Sequence, residues 1–320
     1  MKLGSETLSS KFDEAIQRCL HPRKMPCRLQ EPDYTALLTL NLPNELNLLM
    51  PQVVSSPKGA YSRLSQPLSF SGCYIHQSPY VRFVSNIFNR EKTCELGDLL
   101  VLCKETLHDR TRYNAALLQL KLSRKLRIAR RHQPVRIVGV RDRTQLDLYS
   151  NWPKFRFDRP LQADVYDLPE KSAFNGAQYM FVCEDAPTTF SVALPKGDMY
   201  AREYSFAQFL IDFIDWRTGK EFKVKTERMQ DEWSKLIWDI LDHVSEQRIQ
   251  RKNIDEESVN GRYNDVGKIG LGFMQGGFPV SDRDVSRVMA TIGEHQGYNN
   301  NTFGVLWIEK GERVLAEVQS

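Results

Sequence analysis

An apolar run directly preceded by a carboxylate is the feature that most constrains how this chain can fold. Residues 94 to 105 read CELGDLLVLCKE, in which Leu99 to Cys103 are hydrophobic without interruption. A short apolar run bounded by turn residues is typical of a buried strand. A carboxylate at the mouth of a buried strand is costly unless it has a partner, so Asp98 needs an explanation.

A second strand is predicted soon after the first. Residues 113 to 123 read YNAALLQLKLS, and strand alternation places Leu118, Leu120 and Leu122 on one face. Gln119 and Lys121 then emerge on the other face. Because a short polar link separates the two segments, we predict an antiparallel hairpin with Asp98 at one end.

This hairpin would bring together residue types that suit metal-assisted hydrolysis. Asp98 would bind a divalent cation, and the side-chain oxygen of Gln119 would complete the metal's shell. Hard oxygen ligands favour Mg²⁺ or Mn²⁺ over softer metals. The metal would act as a Lewis acid and activate water, while Lys121 would orient or deprotonate that water and stabilise developing charge.

The surrounding pattern predicts an alternation of helices and strands. A helix is expected within residues 31 to 50, although Pro43 must break or kink it. The remaining predicted elements are a short helix over 144–152, amphipathic helices within 205–250, and strands over 68–77, 178–184 and 302–310.

The order of these elements resembles the PD-(D/E)XK nuclease superfamily, whose core runs helix, three strands, helix, strand. Gly97-Asp98 resembles the Asp of its second strand, and Gln119-Leu120-Lys121 resembles its (D/E/Q)xK triplet. Residues 31 to 184 follow the expected order. The usual Glu of the triplet is Gln119 here, which makes the site less anionic, but Mrr-type restriction enzymes are similar in using QxK.

The resemblance extends to the helix that follows the hairpin. Gln145 and Tyr149 look like the QxxxY motif of RecB-type members, which supports the active site and contacts substrate. The superfamily also has an acid on its first helix, for which Glu31 is our choice and Glu45 the rival. Glu95 would be a further ligand or only a charge at the hairpin edge.

The resemblance implies an α/β (α+β) fold with a restriction-endonuclease-like αβββαβ core and a mainly helical C-terminal region. We expect an N-terminal helical extension over residues 1–24, the nuclease-like core over 25–190 and the helical region over 191–320. The expected catalytic set is Asp98, Gln119, Lys121, Glu31 and Glu95, supported by Gln145 and Tyr149. Asp98 and Gln119 would be the metal ligands.

The most basic stretch follows the predicted hairpin directly. Over residues 123 to 143 it offers a track for phosphates or, equally well, a solvated edge guarded by arginine. His76 ends the first predicted strand and would face the same cleft, but a lone histidine is more often structural. The candidate nucleic-acid-binding residues are Arg124, Lys125, Arg127, Arg130 and Arg131.

Composition sets wider bounds. The net charge of +4 permits nucleic-acid binding without requiring it. Six cysteines occur without a CxxC pair, which disfavours a zinc site and is typical of a reducing compartment. Because the sequence has neither a secretory signal nor an apolar stretch approaching 18 residues, we expect a cytoplasmic protein without a membrane partner.

These observations predict an Mg²⁺-dependent nuclease that acts on DNA rather than RNA. The resemblance implies a role in restriction, repair or defence against mobile DNA, as a homodimer or as a partner subunit of a multi-protein system. The alternative is a nuclease fold with a degraded site that binds nucleic acid or scaffolds a complex, which Gln119 favours. A third reading is a protein-interaction module around residues 205–250.

Overall fold

The computed structural model describes residues 3–20, 29–54, 68–75, 79–107, 110–122, 135–136, 140–158, 164–168, 176–183, 188–196, 199–224, 231–246 and 303–310. Its helices are α1 (Leu3–Cys19), α2 (Glu31–Ala36), a π-helical turn (Leu37–Asn41), α3 (Leu42–Val54), α4 (Val140–Asn151), α5 (Phe206–Ile214) and α6 (Glu232–Glu246). Its strands are β1 (Leu68–Ile75), β2 (Tyr80–Ser85), β3 (Arg90–Glu95), β4 (Leu99–Leu107), β5 (Arg110–Leu122), β6 (Val135–Arg136), β7 (Phe155–Phe157), β8 (Ala177–Cys183), β9 (Thr189–Lys196), β10 (Met199–Ser205), β11 (Lys220–Phe222) and β12 (Phe303–Lys310).

A mixed sheet of nine strands lies at the centre of the described part of the chain. Its strands follow the order β1, β12, β4, β5, β8, β9, β10 and β6, and β11 pairs separately with β5. The predicted hairpin is present, because β4 and β5 pair antiparallel with Leu99 opposite Leu118. Strand β8 lies parallel to β5 after the connection through α4, as a crossover requires.

Both faces of this sheet are covered, so strand alternation sorts the side chains into two cores. On β5, Leu118 and Leu120 pack with α1, α3 and α5 in one core. Ala115 and Leu117 face the other way, into a core that includes Trp152 beside α4 and residues of α6. Gln119 and Lys121 share the face of Ala115 and Leu117, which places them beside α4.

The first helical segment departs from a regular α-helix just before the proline at which the sequence predicts a break or a kink. Pro43 has no N–H to donate to the carbonyl of Thr39, and the chain forms a π-helical turn there instead of a regular helix. The freed carbonyl faces β1 so closely that a Cβ added to Gly72 would lie 1.6 Å from it. A glycine at this position therefore lets the helix dock directly on the sheet and fixes the position of α2.

The structure differs from the sequence-based expectation in three places. The closing strand β12 lies inside the sheet, between β1 and β4, and runs parallel to β4. Strands β2, β3 and β7, which the sequence did not predict, form a separate three-stranded sheet. Strands β9, β10, β11 and β12 fall within or extend into the region expected to be mainly helical.

The predicted mixed α/β class is confirmed, since helices pack on both faces of a multi-stranded sheet. The finer description, a nuclease-like core followed by a mainly helical region, stays a prediction. The division at residues 24 and 190 stays a prediction as well.

Candidate active site

Asp98 lies at the entrance of β4, with its backbone fixed on both sides. Its N–H donates to the carbonyl of Leu118 at 3.0 Å, and its own carbonyl accepts from the N–H of Gly304 at 2.8 Å. The side chain turns towards β5, where Oδ2 accepts the N–H of Leu120 at 2.7 Å and a hydrogen bond from Nε2 of Gln119. The carboxylate is buried, so these donors take the place of water.

Gln119 connects Asp98 to helix α4. Its Nε2 donates to Asp98, and its Oε1 accepts from Nε2 of Gln145 at 2.9 Å. All three side chains are buried. The chain Asp98–Gln119–Gln145 therefore fixes how the amide is turned, with its nitrogen towards the carboxylate and its oxygen towards the helix.

Lys121 follows on the same face of β5 and is enclosed by negative charge. Its Nζ lies 3.3 Å from Oδ1 of Asp142 on α4. Burial alone would lower the pKa of Lys121, but the charges of nearby carboxylates outweigh it and raise the pKa. Those carboxylates are Glu31, Asp98, Asp142 and Glu95. Lys121 is therefore a cation, which suits orienting water or neutralising a phosphate and not the abstraction of a proton.

The pKa of Asp98 is also raised, but for a carboxyl group this shift disfavours the charged form. Burial raises its pKa well above the ordinary value, and the nearby charges of Glu95 and Glu31 raise it further. The ammonium of Lys121 and the N–H of Leu120 oppose this only in part. The site therefore holds more negative charge than its one lysine neutralises.

The turn that presents Asp98 is itself fixed by α4. The hydroxyl of Tyr149 donates to the carbonyl of Leu96 at 2.6 Å, and the N–H of Leu96 donates to Pro79 at 2.8 Å. Gly97 passes under the phenol: a Cβ there would lie 3.0 Å from the Tyr149 oxygen. Tyr149 is buried, so it supports this turn and does not offer a face for base stacking.

Of the two candidate acids on the first helical segment, Glu31 lies at the site. Its Oε1 accepts the N–H of Leu122, at the end of β5, at 3.0 Å. Glu45 instead approaches Arg18 of α1, with 3.9 Å between Oε2 and the guanidinium. Glu95, the last residue of β3, is close enough for its charge to act on both Asp98 and Lys121.

The structure adds Asp142 to the predicted set. It lies three residues before Gln145 on α4, and a spacing of three places side chains on one face of a helix. The three-residue spacing from Gln145 could have identified Asp142 from the sequence. Asp142 was overlooked because it lies within the basic stretch 123–143. The ion pair with Lys121 gives this residue a defined place at the site.

Several predicted site residues lie outside the described residues. These are His76, Arg124, Lys125, Arg127, Arg130 and Arg131. Among the aromatic residues that follow the hairpin, Trp152 is fully buried and stacks on Tyr149 with 5.6 Å between ring centroids. It belongs to the core.

The donor set fits a hard divalent cation that keeps part of its water shell. Within the described ranges, no group of three or more His, Cys, Asp or Glu side chains is arranged to hold a metal. Mg²⁺ commonly binds one or two carboxylates and completes its shell with water and substrate phosphate, so a full protein cage is not needed. Asp98 supplies the carboxylate, and Gln119 would supply an oxygen if its amide turned over.

Comparisons with family models, with curated proteins and with solved structures found no match to this chain. In the part of the chain that the structure describes, no helix combines the length and the apolar character needed to cross a bilayer.

Proposed function

We propose that this protein is a metal-dependent nuclease that hydrolyses phosphodiester bonds, with DNA as substrate. The observation that carries the proposal is the surplus of carboxylates around the half-buried Lys121 at the open end of the β4–β5 hairpin. Lys121 lies 3.3 Å from Asp142, and the charges of Asp98, Glu31 and Glu95 also act on it. A divalent cation is the species that such a surplus attracts.

Each residue then has a distinct task. Asp98 and Gln119 would hold the cation, which supplies Lewis-acid activation of water and of the phosphate when bound. Lys121, held as an ammonium, orients the attacking water and neutralises charge that develops on the phosphoryl oxygens. Gln145 donates to the oxygen of Gln119 in the structure, and both amides would turn over for Gln119 to bind the cation through that oxygen and donate its Nε2–H to Gln145. Tyr149 fixes the turn from which Asp98 projects.

A plasmid-nicking assay with Mg²⁺, Mn²⁺ or EDTA tests the proposal. Lys121→Met should lower the rate by about 100-fold or more, the scale on which removing one charge-stabilising group acts. The matched control is Lys104→Met on β4, because the two lysine side chains are 19% and 20% exposed and both make an ion pair. Lys104 pairs with Glu309 at 2.6 Å, and its substitution should leave the rate unchanged.

Metal-independent nicking, or equal rates for Lys121→Met and the wild type, would contradict the proposal. Both variants must first melt like the wild type, so that a lost activity is not a lost fold.

One observation favours a second candidate, a nuclease-like fold that binds nucleic acid without cutting it. Gln119 turns its amide nitrogen to Asp98 and its oxygen to Gln145. A donor in this position stabilises the carboxylate directly and offers no ligand to a metal. Under this reading the wild type binds DNA with equal affinity in EDTA and in Mg²⁺, and cleaves with neither.

A further inference from the structure

The turn between β2 and β3 is held rigidly against helix α4. Ser85 donates to Oδ2 of the buried Asp147, and the N–H of Ile87 reaches the same oxygen at 3.3 Å. Ser85 also accepts the N–H of Phe88 at 3.1 Å. Asn89 closes the turn in the left-handed region, with φ of 49°. The position of Phe88 is therefore set by the same helix that carries Gln145 and Tyr149.

Two cations lie over the ring of Phe88, so a base can stack there only when they move from the ring to the phosphates of the same strand. The ammonium of Lys92 on β3 lies 4.6 Å from the ring centroid, and the guanidinium carbon of Arg143 on α4 lies 5.6 Å from it. Phe88 and Lys92 are half-buried, and Arg143 is exposed. We call these three residues the Phe88 platform. Its acidic neighbour Glu91 is directed elsewhere, towards Arg82 at 3.5 Å and towards Arg156 at 3.6 Å.

The platform is joined to the candidate active site by two short stretches of chain. Arg143 directly follows Asp142, which contacts Lys121. Lys92 lies three residues before Glu95 on β3, a separation of about 10 Å along the strand, and this odd spacing directs the two side chains to opposite faces. Helix α4 therefore carries one residue of the platform and, next to it in sequence, the residue that contacts Lys121, which places the two regions in neighbouring parts of the fold.

We propose that the Phe88 platform binds a single-stranded nucleic-acid segment beside the candidate active site, with an unpaired base on Phe88 and phosphates on Lys92 and Arg143. The proposal rests on the proposed function, because it makes that strand the substrate. An aromatic ring next to cations matches the two chemistries of a single strand, the base face and the phosphate. A base in a duplex is already stacked on both faces, so a ring at the surface selects an unpaired one.

Fluorescence anisotropy of a labelled oligothymidylate, measured in EDTA on the full chain, tests this proposal without any cleavage. Phe88→Ala should weaken binding by about 5- to 100-fold, the range for loss of one stacked base, while Phe88→Trp retains affinity. Lys92→Gln and Arg143→Gln should each weaken binding and reduce the slope of log affinity against log salt by about 0.7. A duplex of the same length should lose little affinity in Phe88→Ala.

Two exposed residues far from α4 provide matched controls. Leu48→Ala on α3 removes an apolar side chain from a residue that is 64% exposed. Arg217→Gln removes a guanidinium that is 58% exposed and lies after α5. Neither should change the affinity or the salt slope. The three platform variants must have the melting temperature of the wild type. If Phe88→Ala is destabilised, Lys92→Gln and Arg143→Gln still test the platform, because they leave the ring in place.

Failure of this inference and failure of the proposed function give different results. Wild-type affinity in Phe88→Ala, or no binding of the oligonucleotide by the wild type, overturns the platform even if plasmid cleavage is intact. A competition experiment with oligoglutamate gives a further test. If oligoglutamate displaces the oligonucleotide equally well from the wild type and from Phe88→Ala, the platform is overturned, because Lys92 and Arg143 then bind an acidic peptide without the help of the ring. Binding that depends on Phe88 in a protein that never cleaves supports the platform and refutes only the nuclease.

Discussion

The variant Asp98→Asn tests whether the carboxylate of Asp98 serves function or only holds the fold together. The carboxylate is buried and accepts two hydrogen bonds on Oδ2, from Leu120 and from Gln119. An Asn carbonyl oxygen in the same place can accept both. We therefore expect Asp98→Asn to fold normally, to lose cleavage, and to be at least as stable as the wild type.

The size of the stability change follows from two opposing effects. Hydrogen bonds to charged acceptors contribute about 1.5–3 kcal/mol and neutral ones about 0.5–1.5, so the two bonds weaken by about 2–3 kcal/mol together. Against this, the variant no longer buries a charge, which relieves a cost of several kcal/mol in a real protein. The expected change in unfolding free energy at neutral or alkaline pH is between zero and a gain of about 2 kcal/mol.

The pH dependence gives this prediction its sign. The pKa of Asp98 is raised in the native state, so the folded protein keeps a proton that the unfolded chain has lost. Wild-type stability therefore falls as the pH rises from the ordinary carboxyl value of 3.8 through the native value. This one group contributes a slope of up to about 1.4 kcal/mol per pH unit. Asp98→Asn lacks that contribution, so its advantage grows with pH over this window.

Urea unfolding followed by tryptophan fluorescence over a series of pH values measures the difference. Asp147→Asn is the matched control, because Asp147 is 0% exposed and accepts hydrogen bonds from Ser85, Ile87 and Asn151. Both oxygens of Asp147 accept hydrogen bonds, so an Asn there would turn its amide nitrogen towards a donor and should cost about 1–3 kcal/mol. An equal loss in Asp98→Asn would refute the reasoning, since Asp98 would then be a structural cap on the strand.

Three further predictions concern the same site. Mg²⁺ should raise the melting temperature of the wild type more at alkaline than at acidic pH. The reason is that the pKa of Asp98 is raised, so this carboxyl group must lose its proton before it can bind the metal. The effect of Mg²⁺ on the melting temperature should vanish in Asp98→Asn. Gln119→Glu should tighten Mg²⁺ binding measured by calorimetry and lower stability without metal, and weaker binding would argue against Gln119 as a ligand. Gly97→Ala should cost about 1–3 kcal/mol in urea unfolding, because its Cβ would lie 3.0 Å from the Tyr149 oxygen; unchanged stability would mean that the turn relaxes freely.

The hairpin and its side-chain directions were predictable because they depend on local sequence. Strand alternation placed Gln119 and Lys121 on one face, and the short link to β4 set the register that brings Asp98 beside them. The four-residue spacing of Gln145 and Tyr149 likewise fixes them on one side of α4. A period of two residues for strands and of about 3.6 residues for helices can be recognised in the sequence alone, so these parts of the site could be predicted.

The position of β12 was not predictable in the same way. Its strand pattern was visible, but its partner β4 lies about two hundred residues earlier, and no turn signal connects the two. The pairing matters to the site, since the N–H of Gly304 holds the carbonyl of Asp98. Strand β3 escaped prediction for another reason: charged and polar residues interrupt its alternation, as its burial shows.

The hydrogen bonds of Asp98 do not by themselves account for its charge. A neutral oxygen could still accept the hydrogen bonds of Leu120 and Gln119, with about 2–3 kcal/mol less stabilisation, and would avoid the cost of burying a carboxylate. Glu31 and Glu95 increase that cost, and Lys121 relieves it only in part. A surplus of negative charge at a buried strand end destabilises the site when no cation is bound. The same charges would stabilise a complex with a bound cation. We therefore propose that the carboxylate at the mouth of β4 serves to bind a cation.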